Sequence, residues 1–252
     1  GQYVLLHRRL HSGFTPTALV TNTGQGGTSE GIRRAGGASH GQDLRDQPRY
    51  RGWFGDNRFS QGDSTNPTVV RELARKTKAF IVMGSPPCQP YSTTRVRGVV
   101  TERALIEETR SLHSELRQMG SIENVPGARS EMAGAKLLRG AFFGLHVDRP
   151  RLFECTFDFH VDRALKEGGD RLRRGTCLGH RRRWRRLDPF GRPEMATCCG
   201  GNLWAVQGDK PYRCTPCECS EAMDMGKDHM DYDGLTQAIP PAYSQLIFSQ
   251  AC

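Results

Sequence analysis

Apolar residues come in short runs over the first 160 positions, and turns rich in glycine or proline separate these runs. The run 18–20 leads into a glycine-rich turn, and residues 38–42 form a second candidate strand that ends at Asp43. A third strand is expected to end within Ser60–Asp63. The continuous apolar run 79–83 is typical of a strand buried on both faces.

Helical patterns alternate with these strands. A helix is expected to start at Thr28 after the glycine turn, and another at Thr68 with Pro67 in its first turn. Residues 101–119 have the clearest helical periodicity, with Thr101 as cap and Gly120 as stop. Residues 128–143 predict a further helix, and 151–157 a strand. This alternation predicts an α/β fold with a doubly wound, mostly parallel sheet.

Regular periodicity fades after residue 160, where arginine, glycine, proline and cysteine become frequent. We therefore expect the main α/β domain to comprise residues 18–159 and 221–252, with a small irregular insert at 160–220. Residues 1–17 are expected to be a basic amino-terminal arm or the remnant of a transit segment, because no acid occurs before Glu30.

The excess of basic over acidic residues indicates what kind of molecule the protein binds. The 252 residues contain 36 Lys and Arg against 27 Asp and Glu, a net charge of +9, which favours a polyanion: nucleic acid first, an anionic membrane surface second. The longest apolar run is far shorter than the roughly 20 residues of a membrane span, so no span is expected. Nine cysteines, an odd number, indicate reduced thiols and an intracellular, reducing compartment, with nucleus and organelle (mitochondrion included) left open.

The most informative local string, Gly84-Ser85-Pro86-Pro87-Cys88-Gln89-Pro90, directly follows the strand 79–83. The carboxyl end of a parallel strand is where open α/β sheets bind ligands, and the prolines stiffen the loop. Cys88 is therefore either a positioned nucleophile or a structural cysteine in a proline turn.

Two further strings carry charged side chains. Glu123, in Glu123-Asn124-Val125, follows a possible short strand and is either a general acid with a raised pKa or a capping or ion-pairing residue. Arg149 and Arg151 flank Pro150 and suit phosphate or base-edge contacts, or form a solvated charged edge.

The glycine turn suits close approach of the backbone to a nucleotide-like cofactor, and Asp43 lies about twenty residues further on, where ribose hydroxyls are commonly bound. In this order, the strings resemble the cytosine-5 DNA methyltransferase family, most closely its compact phage- and bacterial-like members. The resemblance covers roughly residues 18–157 and 221–248. It rests on Gly24-Gln25-Gly26-Gly27, Asp43, Gly62-Asp63, Pro87-Cys88-Gln89, Glu123-Asn124-Val125, Arg149-Pro150-Arg151 and residues 235–243.

The resemblance implies a Rossmann-like methyltransferase fold and a covalent mechanism on a flipped-out cytosine. Cys88 would attack C6 of the base, Glu123 would protonate N3, and Arg151 would hold the base or the thiolate. C5 would then receive the methyl group of S-adenosylmethionine. The residues implied to bind that cofactor are Gly24, Gly26, Gly27, Asp43, Asp63 and Pro87.

Two departures from the family pattern affect this expectation. Thr21-Asn22-Thr23 stands where the family has an acid and an aromatic residue that would stack on adenine, and the approach to Glu123 is short and polar. A decaying cofactor site would show such changes. The alternative function is therefore a catalytically inactive methyltransferase-like protein that binds nucleic acid or serves as a structural subunit, for example in an organellar ribonucleoprotein.

The insert adds a dense basic segment with no acidic residue between positions 171 and 186. Such arginine density predicts phosphate contacts, with a tryptophan able to stack on a base, on DNA first and on RNA as the alternative. The predicted contact residues, besides Arg149, are Arg174, Arg181, Arg182, Arg183, Trp184, Arg185 and Arg186. Cysteines 177–219 include zinc-ligand types at irregular spacing, so a structural zinc is the alternative, but we interpret them as reduced thiols and predict no metal.

Overall fold

The structure is a computed structural model of the chain, and it describes residues 15–91, 103–145, 149–161, 204–207, 210–213, 224–225, 234 and 237–252. The expectations for the amino-terminal arm, for Thr101 as a cap, for the basic segment 171–186 and for the cysteines of 177–199 and 214–219 lie outside these residues. No helix in the described ranges is both long enough and apolar enough to cross a bilayer.

A seven-stranded sheet forms the centre of the fold, with strand order β3-β2-β1-β4-β5-β7-β6. The five strands β1 to β5 are parallel to one another, and β7 runs antiparallel to both of its neighbours, β5 and β6. The order reverses between β1 and β4, which is the switch point at which such sheets bind ligands. The strands are β1 Thr17–Thr21, β2 Ala38–Asp43, β3 Phe59–Gln61, β4 Ile81–Gly84, β5 Met119–Asn124, β6 Lys136–Leu138 and β7 Arg151–Cys155. A separate antiparallel pair, β8 Trp204–Gln207 and β9 Lys210–Arg213, lies within the predicted insert.

Five α-helices accompany the strands in the described residues. They are α1 Gly27–Arg34, α2 Pro48–Phe54, α3 Pro67–Thr77, α4 Ile106–Leu116 and α5 Pro241–Ala251. At the start of α3, Asn66 accepts the backbone N–H of Thr68 at 3.0 Å, and Pro67 occupies the first turn, where no N–H is needed. The α/β class and the doubly wound, mostly parallel sheet are confirmed.

The period-two alternation of the strands divides the core between two faces of the sheet. Val20 and Met83 point to the face covered by α1 and α5, where they pack with Tyr243 and Phe248. The intervening residues point to the opposite face, where Val82 packs with residues of α3 and α4. Both faces of the central strands are therefore buried, as the apolar run 79–83 indicated.

Helices α1 and α5 approach each other closely. A Cβ atom at Gly31 would lie 2.1 Å from the carbonyl oxygen of Pro241, so only glycine fits there. The Ser244 hydroxyl donates a hydrogen bond to the Thr28 carbonyl at 3.0 Å across the same contact. The carboxyl-terminal helix is thereby fixed against the segment that follows the glycine turn.

Two of the predicted helices are wrong in extent or in kind. The helix expected over 101–119 is α4, which ends at Leu116 because Arg117 adopts a left-handed backbone conformation (φ 51°) and Met119 begins β5. Residues 128–143 form no α-helix, because 136–138 pair with β7 as strand β6 and short 3-10 turns lie on either side. Tertiary pairing overrides the local helical pattern in this segment.

Candidate active site

The Cys88 loop leaves the carboxyl end of β4, next to the switch point of the sheet. Its first residue, Ser85, donates its backbone N–H to the Thr21 carbonyl at 3.3 Å. The side-chain amide of Asn124, at the end of β5, donates to the Pro86 carbonyl at 3.1 Å. These bonds and the two prolines fix the backbone that carries the thiol, which a nucleophile with strict angular demands requires.

The far end of the Cys88 loop is held by the turn that follows β5. Tyr91 donates its N–H to the Cys88 carbonyl at 3.0 Å and its hydroxyl to the Glu131 carboxylate at 2.6 Å. A Cβ atom at Gly127 would lie 2.0 Å from the Tyr91 carbonyl oxygen, so the turn comes this close only because Gly127 has no side chain.

Glu123 and Arg151 form a buried ion pair beside this loop, with Arg151 Nε 2.9 Å from Glu123 Oε1. Their side chains are only 11% and 13% exposed. Glu123 lies opposite Phe153 in the β5–β7 ladder, so Arg151 is its diagonal neighbour on the same face of the sheet. Strand pairing therefore brings the acid and the cation together from positions 28 residues apart in the chain.

The environment raises the pKa of the Glu123 carboxyl above its ordinary value. Burial is the main cause, and the charges of Arg151 and Arg149 and a hydrogen bond with Ser85 act in the opposite direction. A carboxyl group of this kind keeps a larger protonated fraction near neutral pH than an exposed glutamate does. That is what a general acid needs.

The pKa of the half-buried Cys88 thiol is also raised, by burial first and by the negative charge of Glu123 second. Arg151 and Arg149 act in the opposite direction and favour the thiolate. The thiol, the carboxyl and both guanidinium groups thus lie within electrostatic range of one another. The structure brings together Cys88, Glu123, Arg149 and Arg151, which the sequence singled out separately.

The cofactor-type turn occupies the neighbouring strand ends. Asp43, the last residue of β2, accepts the Gly24 N–H at 3.0 Å through one carboxylate oxygen and the Arg45 N–H at 3.1 Å through the other. Gly24 (φ 51°) and Gly26 (φ 103°) adopt left-handed conformations, and a Cβ atom at Gly24 would meet nothing within 4 Å. The turn is therefore shaped by its glycines and open to the outside at Gly24.

Gly27 has a different neighbour from the other glycines of the turn. A Cβ atom there would lie 2.4 Å from the carbonyl oxygen of Ile239. Gln25 packs in a similar way against Gly234, where a Cβ atom would lie 2.0 Å from the Gln25 side-chain oxygen. Close packing by the carboxyl-terminal segment thus accounts for the lack of a side chain at Gly27.

Asp63 lies two residues after β3, and the loop that holds it is tied to β2 by the Gly62 N–H, which donates to the Asp43 carbonyl at 2.9 Å. One Asp63 oxygen accepts the N–H and the hydroxyl of Thr65, each at 2.8 Å. Asn22 has a left-handed conformation (φ 55°), and its side-chain oxygen accepts the Ser64 hydroxyl at 2.9 Å.

These donors and acceptors fit a nucleoside-type cofactor. The carboxylates of Asp43 and Asp63 stand at adjacent strand ends, and each has acceptor capacity beyond its backbone contacts, as ribose hydroxyls and an adenine amine require. The space above Gly24 leaves the backbone accessible to a ligand. Pro87, also predicted to face the cofactor, lies half-buried in the loop beside Cys88.

Sequence reasoning missed two residues that hold the site. Ser85 hydrogen-bonds the Glu123 carboxyl, and the Asn124 amide fixes the Cys88 loop. Both stand inside motifs that the sequence had singled out, so their positions next to Cys88 and Glu123 were the available indication. Their roles depend on the β4–β5 pairing, which places Gly84 beside Ile122.

No protein-family model and no curated protein matches the sequence. Solved structures do match over nearly the full length. Schizosaccharomyces (S. pombe) Dnmt2 methyltransferase is 14% identical at a TM-score of 0.59, covering 94% of this chain and 98% of that one. Entamoeba histolytica methyltransferase EhMeth is 11% identical at a TM-score of 0.61, with 94% and 98% covered. A candidate DNA modification methyltransferase encoded within an E. coli prophage is 13% identical at 0.59, with 93% and 98% covered.

The chain has a methyltransferase fold. At these identities the likeness concerns the fold, and it confirms the Rossmann-like methyltransferase architecture that the sequence motifs implied. Within this methyltransferase fold, the candidate site lies at the carboxyl ends of β1 to β5, where the order of the strands reverses.

Proposed function

We propose that the protein transfers a methyl group from S-adenosylmethionine to C5 of cytosine in DNA through a covalent adduct with Cys88. The observation that carries this proposal is the convergence of three groups at one edge of the sheet. A loop-fixed thiol lies within electrostatic range of a buried carboxyl, which an arginine contacts at 2.9 Å. Covalent activation of a pyrimidine ring needs a nucleophile, a proton donor and a cation together.

Cys88 acts as the thiolate, and its sulfur forms a bond with C6 of the flipped-out base. The positive charges of Arg151 and Arg149 favour this thiolate, whereas Glu123, when ionised, disfavours it. A neutral Glu123 therefore helps twice, because it removes the opposing charge and carries the proton that the ring takes up at N3. The raised pKa of Glu123 supports this role.

Arg151 stands beside the proton donor and stabilises the carboxylate that remains when Glu123 gives up its proton. The turn at Gly24 and the carboxylates of Asp43 and Asp63 would hold S-adenosylmethionine, which supplies an electrophilic methyl group on a sulfonium. After C5 has been methylated, solvent water takes the C5 proton and the bond between Cys88 and C6 breaks, which restores the thiolate, while the N3 proton returns to Glu123.

DNA as the substrate is supported by the net charge of +9 and by the arginine-rich segment of the insert. It is also in keeping with the name of the prophage-encoded structural neighbour. RNA remains the alternative polyanion, since arginine clusters contact the phosphates of both.

The direct test is transfer of a labelled methyl group from S-adenosylmethionine to cytosine-containing DNA, with RNA in a parallel reaction. We expect label in DNA with the native chain and with Cys252→Ser, a matched thiol substitution elsewhere in the fold, and none with Cys88→Ala. Transfer by Cys88→Ala at the native rate, or no transfer by the native chain, would reject the proposal.

One observation favours a second candidate, a methyltransferase-like protein that binds nucleic acid without turnover. Asn22, engaged with Ser64, lies in the stretch Thr21-Asn22-Thr23, where the resemblance implies an acid and an aromatic ring for the adenine. Calorimetry with S-adenosylmethionine distinguishes the two functions. Binding together with methyl transfer supports the enzyme, and nucleic-acid binding with neither supports the second candidate.

A further inference from the structure

Arg149 is almost completely buried, and its side chain is bound by the carboxyl-terminal segment. It is 7% exposed, and its Nε donates a hydrogen bond to the carbonyl oxygen of Ala238 at 2.6 Å. Its own backbone carbonyl accepts the hydroxyl of the fully buried Tyr243 at 2.9 Å. The side chain and the backbone of this one residue are therefore both bound by the carboxyl-terminal segment.

That segment begins at Ala238 and runs into α5, and its other contacts fix it firmly. The backbone of Ile239 packs against Gly27, and Ser244 hydrogen-bonds the Thr28 carbonyl. The ring of Tyr243 packs against Phe143 and Phe153, with ring centroids 5.1 and 6.1 Å away. The partners of Arg149 are thus part of the rigid core.

Two residues further along, Arg151 makes its ion pair with Glu123, and both arginine charges act on Cys88 and Glu123. The extended stretch 149–151 therefore has one end anchored to the carboxyl-terminal segment and the other end in the site. Arg149, 7% exposed, presents little of its side chain at the surface, where the phosphates of a duplex lie.

We propose that Arg149 is a positioning residue: Ala238 and Tyr243 hold it so that its charge faces the Cys88–Glu123 pair and the following Arg151 meets Glu123. The inference rests on the proposed function and deepens it, since it assigns Arg149 and Tyr243 to the electrostatics of the same site. It replaces the expectation that Arg149 contacts nucleic acid.

The test uses the full chain without cofactor or nucleic acid. The rate of iodoacetamide modification of Cys88 is followed by peptide mass spectrometry between pH 6 and 10, with Cys155 as an internal reporter. Cys155 lies half-buried in β7, and burial raises its pKa to about 11 while its thiol donates to the Ser121 hydroxyl, so it reacts slowly in the folded chain and faster when the fold opens.

Arg149→Gln is expected to slow Cys88 modification at pH 7.5 by about threefold and to move the pH profile upward, because a nearby positive charge is lost. Tyr243→Phe removes only the hydroxyl contact and is expected to slow it by about 1.5-fold, less than Arg149→Gln, because the arginine charge stays and loses only one of its anchors. Arg71→Gln, a loss of an exposed arginine paired with Glu115, and Tyr50→Phe, a loss of another buried tyrosine hydroxyl, serve as matched controls that leave the Cys88 profile unchanged.

Unchanged Cys88 profiles in both Arg149→Gln and Tyr243→Phe would overturn the inference. So would a profile in Arg71→Gln that moves as far as in Arg149→Gln, because the effect would then be one of net charge. If Arg149→Gln exposes Cys155, the variant has opened the fold and Tyr243→Phe decides. Because modification of Cys88 requires no turnover, failure of methyl transfer with the expected profiles would reject the proposed function and leave this inference standing.

Discussion

The two halves of the candidate site are built differently. In the catalytic half, at the ends of β4 and β5 and the start of β7, reactive side chains converge: Cys88, Glu123 and Arg151. In the cofactor half, at the ends of β1 to β3, backbone shape dominates, with left-handed glycines and a carboxylate that accepts the Gly24 N–H. The catalytic half thus has each of the reactive side chains that the resemblance implies. The cofactor half has Thr21-Asn22-Thr23 where the resemblance implies an acid and an aromatic residue.

The largest effect is expected at Glu123, where methyl transfer reports the loss of the proton donor and Cys88 alkylation reports the loss of the charge. Glu123→Gln is expected to lower methyl transfer by about a hundredfold or more, because the proton donor to N3 is lost. The same variant is expected to speed alkylation of Cys88 at pH values where the native Glu123 is ionised, because the Glu123 charge raises the pKa of that thiol.

Arg151→Gln is the matched control for this prediction, and it is expected to slow both reactions, because its charge lowers the pKa of Cys88. Transfer assays and peptide-resolved alkylation check the two signs. If both variants changed Cys88 alkylation in the same direction, the electrostatic account of the catalytic half would be wrong.

A change in the cofactor half is expected to leave the reactivity of the catalytic half unchanged. Asp43→Ala is expected to weaken binding of S-adenosylmethionine by about 30-fold, since a charge-assisted hydrogen bond to the turn and an acceptor for the ribose are lost. Cys88 alkylation should stay as in the native chain. Calorimetry measures the affinity, with Asp46→Ala as the control, since that carboxylate pairs with Arg51. Equal weakening by both variants would contradict the assignment.

Each half of the site also contains a buried histidine in or against its strands, His113 in the catalytic half and His40 in the cofactor half. His113 lies against Gly84 and Gly120 of β4 and β5, and His40 Nε2 shares a hydrogen bond with the Ser60 hydroxyl at 2.9 Å. Burial is the main cause that lowers the pKa of each histidine to about 4, and for His40 the charges of Arg58 and Lys76 add to it. Protonation therefore favours the unfolded chain, so stability is full above pH 6.5 and is lost as the pH falls toward 4.

For His113 the loss amounts to about 2 kcal/mol between pH 7 and pH 5. Urea unfolding at both pH values checks it, with His113→Phe as the test variant and the exposed His160→Gln as the control. We expect His113→Phe to remove its own share of the fall, about 2 kcal/mol, while the share due to His40 remains, and His160→Gln to leave the fall unchanged. A fall of native size in His113→Phe would show that other groups cause it.

The smallest expected effect tests the departure in the cofactor half. Asn22→Phe is expected to tighten binding of S-adenosylmethionine by about two- to threefold. Stacking on adenine contributes roughly 1 kcal/mol, and the left-handed backbone at this position offsets part of it. Asn22→Ala, which also loses the bond to Ser64 but adds no ring, should not tighten binding. Weaker binding by Asn22→Phe would indicate that the Asn22–Ser64 contact is itself part of the binding surface.

Local sequence was informative where a strand leads into a motif. The apolar run before Cys88 predicted a central buried strand, and Asp43 stands at the end of β2 as expected, because both follow from short-range patterning. The strand expected from 151 to 157 ends at Cys155. The helix predicted over 128–143 was wrong, because residues 136–138 form a strand through pairing with β7, which lies further along the chain.

The roles of individual site residues depended on contacts far apart in the chain. Arg149 and Arg151 look alike in sequence, yet one is bound by Ala238 and the other by Glu123. Gly27 belongs to the glycine turn in sequence, but the backbone of Ile239 requires it to lack a side chain. Such distinctions arise from the packing of α5 on α1, which no local pattern encodes.

Covalent trapping with DNA that contains 5-fluorocytosine, in the presence of S-adenosylmethionine, tests directly whether Cys88 attacks the cytosine ring. Fluorine at C5 cannot leave as the proton does, so the adduct persists and its site can be mapped by mass spectrometry. We expect a single adduct at Cys88, much reduced in Glu123→Gln. No adduct despite cofactor binding, or an adduct at another cysteine, would contradict it.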